Sequence, residues 1–181
     1  IDGNLMPTPN FNNKTLNKLV NLKADIVCFV HPERIYLEDE ANVILWTQVL
    51  ASSESVNNIR HVWYKDINAL KNSTLTETNC IIRKHKNTIQ FNEEWTKCMY
   101  ICLRDQLSFD FILEQYNINY LKLLYTDKTY ILQKWPHKTL THNKRLVNSK
   151  KLRTKFPPKF KKPNYNFESV FSDSFNEAKP I

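Results

Sequence analysis

Glycine is almost missing from this chain. One glycine, Gly3, stands among 181 residues, where average usage of roughly 7% would supply about 13. A phosphate-cradling loop, a dinucleotide-binding G-x-G-x-x-G turn and a nucleophile elbow each need glycine for a positive φ or a close backbone approach. None of those patterns is present, and collagen-like or Gly/Ser-linker chains are excluded too. Long apolar runs are also missing. The longest, Ile26–Val30 and Cys98–Leu103, fall far short of the roughly 18 residues of a membrane-spanning helix.

Acidic residues are absent from one stretch. Between Lys134 and Lys162 there are eleven Lys/Arg and no Asp/Glu. The totals are 26 basic and 18 acidic residues, so the rest of the chain holds 15 and 18, a balance of −3. The sequence therefore describes a mildly acidic body with one basic segment, not the uniform basic face of a nucleic-acid-binding domain. The segment, which holds Pro157-Pro158 and is followed by Pro163, reads either as a track for RNA phosphates or an acidic protein surface, or as a solvated linker. The length suits one domain, or one compound domain, with a real core. The first residue is Ile1, not Met, which leads us to expect a piece of a longer protein.

What is there is a set of short apolar runs and four cysteines, Cys28, Cys80, Cys98 and Cys102. Two possible disulfides and the sequons Asn13-Lys14-Thr15 and Asn72-Ser73-Thr74 point towards secretion. The apolar settings of the cysteines point the other way, to reduced thiols acting as small buried hydrophobes. A zinc site drawn from Cys28, His31, Cys98 and Cys102 is not expected. On a strand, Cys98 and Cys102 would lie about 13 Å apart at ~3.3 Å per residue, unlike a zinc knuckle.

Residues 1–14 read as a polar leader. The run from Leu19 to Val30 is rich in β-formers, Pro32 interrupts it, and Arg34–Leu37 resumes as a second short strand. Apolar spacing over Ala41–Val56, with acids at 38–40, predicts a helix at about 39–55. His61–Tyr64 reads as a short strand or turn, and Leu70–Thr78 as a polar loop. Cys80–Lys84, Trp95–Leu103, Leu107–Leu113, Tyr120–Leu124 and Tyr130–Gln133 are strand candidates separated by polar turns. Strands at that spacing predict a small antiparallel barrel. Tyr165, Phe167, Val170, Phe171 and Phe175 form an aromatic tail segment.

This order resembles an extended Tudor domain, in which a Tudor barrel is inserted into a staphylococcal-nuclease-like (OB) module. The residues that carry the resemblance are Asp25–Leu37, then Cys80-Ile81-Ile82 with Glu94–Cys98, then Phe111–Asn117. It implies a mainly β fold with helices (α+β), the barrel joined to the nuclease-like module by a long helix. It divides the chain into a leader (1–18), the N-terminal part of that module with the linking helix (19–78), the barrel (79–135) and a basic, Pro-containing C-terminal part (136–181).

The resemblance implies a non-catalytic interaction module of a germline Piwi/piRNA scaffold protein, in a cytoplasmic perinuclear granule. Its ligand would be an Arg-rich tail of an Argonaute/Piwi protein. The site residues carried over are Trp95, Thr96, Phe111, Glu114, Gln115, Tyr116 and Asn117. The family's methylarginine cage holds its cation between aromatic walls. Here Thr96, Ile112 and Gln115 stand at the aromatic positions and Tyr116 at the family's glycine. Methylation should therefore not be required, with Glu114 accepting a guanidinium and Asn117 as the amide contact. No cofactor or metal is expected.

Two alternatives stay open. One is a basic RNA-binding or ribonucleoprotein subunit using 134–162. The other is a secreted, disulfide-bonded β-sandwich with Trp63 as core Trp and Cys28 paired with Cys102. Catalysis has little support, because the five histidines (His31, His61, His85, His137, His142) have no obvious nucleophile or acid partner in sequence.

Overall fold

Apolar residues at 26–29 fill the middle of the main sheet in the computed structural model, which describes residues 5–47, 51–134 and 169–171. In chain order the elements are β1 (Leu5–Pro7), α1 (Asn13–Val20), β2 (Ile26–Phe29), α2 (Leu37–Thr47), α3 (Ser53–Trp63), α4 (Ile67–Asn72) and β3 (Ile82–Arg83). A 3-10 turn at His85–Thr88 follows, then α5 (Ile89–Ile101), α6 (Gln106–Gln115), β4 (Tyr120–Leu123), α7 (Tyr125–Ile131) and β5 (Leu132–Lys134).

The main sheet has the order β3-β2-β4. β2 and β4 run parallel, with Ile26 opposite Tyr120 and Phe29 opposite Leu123, while β3 is antiparallel to β2. β1 and β5 form a separate antiparallel pair. Side chains alternate across a strand, and β2 uses both faces. Ile26 and Cys28 enter one core with residues of α2–α6, and Val27 and Phe29 enter a second with Leu5, Leu19, Ile131, Leu132 and Phe171. A strand buried on both faces reads as a continuous apolar run, which is what 26–29 is. The architecture is layered, with α2–α6 packed on one face of a small mixed sheet and α1 and α7 on the other.

Local chemistry sets the helix ends. Asn12 caps α1, its side chain accepting from the Lys14 and Thr15 N–H groups while the Thr15 hydroxyl accepts from the Asn12 N–H. Ser52 caps α3 by accepting from Ser55 N–H. α6 ends in a Schellman turn. Ile118 N–H reaches the Leu113 carbonyl, Asn117 N–H reaches the Glu114 carbonyl, and Asn117 has φ 49°. That left-handed position is the usual place of glycine, with asparagine its commonest substitute.

The expectation of a mainly β fold is overturned. Among the described residues there are seven α-helices and a 3-10 turn, against five strands of two to four residues in two small sheets, none forming a barrel. Trp95–Leu103 lies mostly in α5 and Leu107–Leu113 in α6. The first has helical spacing, with Phe91, Cys98 and Cys102 buried and Trp95 half-buried between them. The second alternates apolar and polar as a half-exposed strand would, yet Ser108 and Asp110 are buried as well. α6 is a central helix enclosed on all sides, so its alternation marks internal polar sites, not solvent.

The helix expected at 39–55 is replaced by two, α2 (Leu37–Thr47) and α3, which starts at Ser53 and takes in 61–63. Residues 34–36 form no strand, and the polar leader contains β1 and the start of α1. β4 lies where a strand was expected. The basic segment beyond Lys134 and most of the aromatic tail lie outside the described residues. Of that tail Ser169–Phe171 is described, with Phe171 buried and stacked on Tyr130 at 5.0 Å.

Candidate ligand cleft

The segment from Thr74 to Arg83 leads from α4 into β3 along the edge of the sheet. Its polar residues are held one by one. Lys122 Nζ donates to the Thr74 carbonyl and hydroxyl, at 2.7 and 2.6 Å. The Asp110 carboxylate accepts from Thr76 N–H (2.6 Å), the Thr76 hydroxyl (2.5 Å) and Lys122 Nζ (2.5 Å). Lys128 Nζ donates to Glu77 Oε2 (2.5 Å), and Asn79 Nδ2 donates to Glu77 Oε1 (2.8 Å). The Thr78 hydroxyl donates to Asp105 Oδ2 (2.6 Å). A segment with no glycine and no proline thus keeps a fixed path through side-chain bonds.

Between this segment and the corner joining α5 to α6 lies a cavity of about 510 Å³. Glu77, Thr78, Asn79, Ile81 and Arg83 line one wall; Trp95, Arg104, Asp105 and Gln106 line the other, with His31 beyond the end of β2. The Trp95 ring packs against Phe91 and Phe109, at 5.7 and 5.0 Å between centroids, and its indole N–H donates to the Asp105 carbonyl at 3.3 Å. Asp105 also accepts from Gln106 N–H at the start of α6. The size lies within the range of small-molecule sites. The walls are polar and charged, which disfavours an apolar ligand because their groups would be desolvated without partners.

Behind the cleft sits Glu40, 1% exposed. Its Oε1 accepts from Arg104 Nε (3.0 Å) and Nη2 (2.8 Å). Its Oε2 lies 2.7 Å from Arg34 Nε, a charge contact lying off the hydrogen-bonding axis. Arg104 Nη2 also donates to Gln106 Oε1. His31 Nδ1 accepts from the backbone N–H groups of Glu33 and Arg34, at 3.1 Å each.

All four cysteines are free and buried. Burial pushes the Cys28 thiol up to about 12 and those of Cys80 and Cys98 up to about 11. They are core groups, not nucleophiles. The Tyr120 hydroxyl is also pushed well above its ordinary value, first by burial and then by its hydrogen bond to Glu114.

The seven residues expected to bind a peptide are not brought together in one site. Trp95 alone lines the cleft. Thr96 is exposed on α5, its hydroxyl bonded back to the Asn92 carbonyl. Phe111 is fully buried in the core. Glu114 accepts from the Tyr120 hydroxyl, Gln115 closes α6, Tyr116 is its C-cap with φ −98°, and Asn117 forms the turn. Sequence reasoning missed His31, Glu77, Asn79, Arg83, Arg104, Asp105 and Gln106. A signal was present, since Arg104-Asp105-Gln106 breaks an otherwise apolar stretch, and Thr74–Asn79 is a polar run without Gly or Pro to make it a turn.

Comparison with protein-family models, with curated proteins and with solved structures finds no match to this chain.

Proposed function

We propose that the chain is a binding module for a small, polar organic molecule, seated in the cleft between the 77–83 edge segment and the α5–α6 corner. The observation that carries this reading is the cavity of about 510 Å³ walled by Glu77, Asn79, Arg83, Arg104, Asp105 and Gln106, whose carboxylates are held in place by further groups. Charged side chains from both walls converge on one concave site, as the few polar groups of a ligand pocket do. Trp95 supplies a rigid aromatic surface for a ring, and the amide and carboxylate groups suit hydroxyls.

An Arg-rich tail was the ligand implied by the Tudor resemblance. That reading leaned on a barrel, and its residues are dispersed over α5, α6 and the turn that follows.

The test is a thermal-shift panel of sugars, sugar phosphates, nucleosides, nucleotides and small carboxylic acids, with calorimetry on any that stabilise the protein. A ligand at 100 times its Kd should add about 2.7 kcal/mol, or roughly 5–10 °C in Tm for a chain of this size. Asn79→Ala should weaken that binding, and Thr96→Ala, outside the cleft, should leave it unchanged. Equal loss in both variants, or an Arg-rich peptide as the sole ligand, would contradict the proposal.

A further inference from the structure

Glu40 holds two guanidiniums with one carboxylate. Arg34 and Arg104 are 14% and 26% exposed at their side chains, and Glu40 is 1% exposed. The other carboxylate beside Arg34 is Glu33, which is 75% exposed and so screened by water. The cleft lining itself carries two cations, Arg83 and Arg104, and two carboxylates, Glu77 and Asp105. Both carboxylates already have hydrogen-bond partners. Glu77 takes the Lys128 ammonium and the Asn79 amide, and Asp105 takes the Thr78 hydroxyl and the start of α6.

Within the Arg34–Glu40–Arg104 group two guanidiniums share one buried carboxylate. Arg104 is its member at the cleft wall. Nε and Nη2 of Arg104 are spent on Glu40 and Gln106. Among the described residues no hydrogen bond uses its Nη1. Arg83, on the opposite wall, has Nη1 on Asn92, and no other hydrogen bond of its guanidinium is found among the described residues.

We infer that the ligand of this cleft carries an oxyanion, a carboxylate or phosphate, that docks against Arg104, and that Glu40 is the positioning residue that aims the Arg104 guanidinium at it. The inference rests on the cleft reading above and adds the chemical class of its ligand. A partly buried guanidinium with one edge fixed from behind offers its remaining N–H groups in a set direction, the arrangement that favours a planar or tetrahedral oxyanion. Two guanidiniums on one buried carboxylate leave that group short of one negative charge. An anionic ligand supplies that charge.

Calorimetry with paired probes on the full chain tests this. The pairs are glucose with glucose phosphate, and adenosine with adenosine monophosphate; glucose with glucuronate separates carboxylate from phosphate. At least one anionic member should bind about tenfold or more tighter than its neutral partner, and Arg104→Gln should remove that difference. Glu40→Asp, which keeps the charge and shortens its reach, should weaken the anionic member about tenfold and leave the neutral one unchanged, which a merely structural role would not do. Arg104→Lys, which keeps the charge but not the planar fork, should weaken the anionic member as well and serves where Glu40→Asp does not fold. Equal affinity within every pair would overturn the oxyanion subsite while leaving the cleft reading standing. Loss of both members alike in Glu40→Asp would overturn the positioning role. Binding of no probe in any pair would overturn the cleft reading and this inference together.

Discussion

Glu40 is the residue on which most charge depends. It is the common partner of Arg34 and Arg104 and has almost no contact with water. Removing one member of a buried ion group leaves the others unpaired, at a cost of about 3–5 kcal/mol. Glu40→Ala should therefore lower stability by about that much, measured by urea unfolding. The thiols of Cys28, Cys80 and Cys98 make a prediction about pH. Unfolded, they ionise at their ordinary value of 9.0, but folded they hold their protons up to about 11 or 12. Between those values the native state binds more protons than the unfolded one. Stability should then fall as pH rises above about 9 and level off once the native thiols ionise. Unfolding midpoints measured against pH should show that fall, and Cys28→Ala should make it shallower. Full stability retained to pH 11 would contradict this account of the thiols.

At the scale of elements, the turn after α6 stands out because the chain has almost no glycine. Asn117 occupies the left-handed position there. Asn117→Gly should be neutral or slightly stabilising, and Asn117→Val should cost about 1–2 kcal/mol, since a β-branched side chain crowds the carbonyl at positive φ. Denaturant melts of both variants check this. Equal stability of the two would mean that the turn does not hold that conformation in solution. The same helix shows what was legible in the sequence and what was not. β2 was found, at narrower bounds than expected, because four apolar residues in a row have little other use. The 107–113 stretch was misread because Ser108 and Asp110 look solvent-facing until Lys122 and Thr76, distant in sequence, arrive to satisfy Asp110. Alternation reports which positions are polar, not where those positions lie, and a central helix can carry it. Phe109 is buried there against Phe91 and Trp95. Phe109→Ala should cost about 3–5 kcal/mol and, through Trp95, loosen the cleft wall.

For the whole molecule, the near-absence of glycine has a structural meaning. The cleft is not a glycine loop wrapping a ligand with backbone N–H groups. Its walls are a side-chain-bonded edge segment and a helix corner, and the groups it offers a ligand are side chains. Little of this site was legible beforehand, because its residues come from 31, 77–83, 95 and 104–106 and meet through the antiparallel pairing of β2 with β3 and the packing of α5 on α6. Trp95 was the exception, singled out for a different reason. The Tudor resemblance put the site at 95–117 on the strength of local order, and local order could not say that two of its strands are helices.

The central claim is that a small polar ligand binds between the edge segment and the α5–α6 corner. Amide chemical-shift mapping of the full chain, titrated with whichever probe stabilises it, tests this most directly. The account predicts the largest changes at residues 77–83 and 104–106 and at the Trp95 indole N–H. Changes confined to Thr96 and 114–117, or to the basic 134–162 segment, would contradict it.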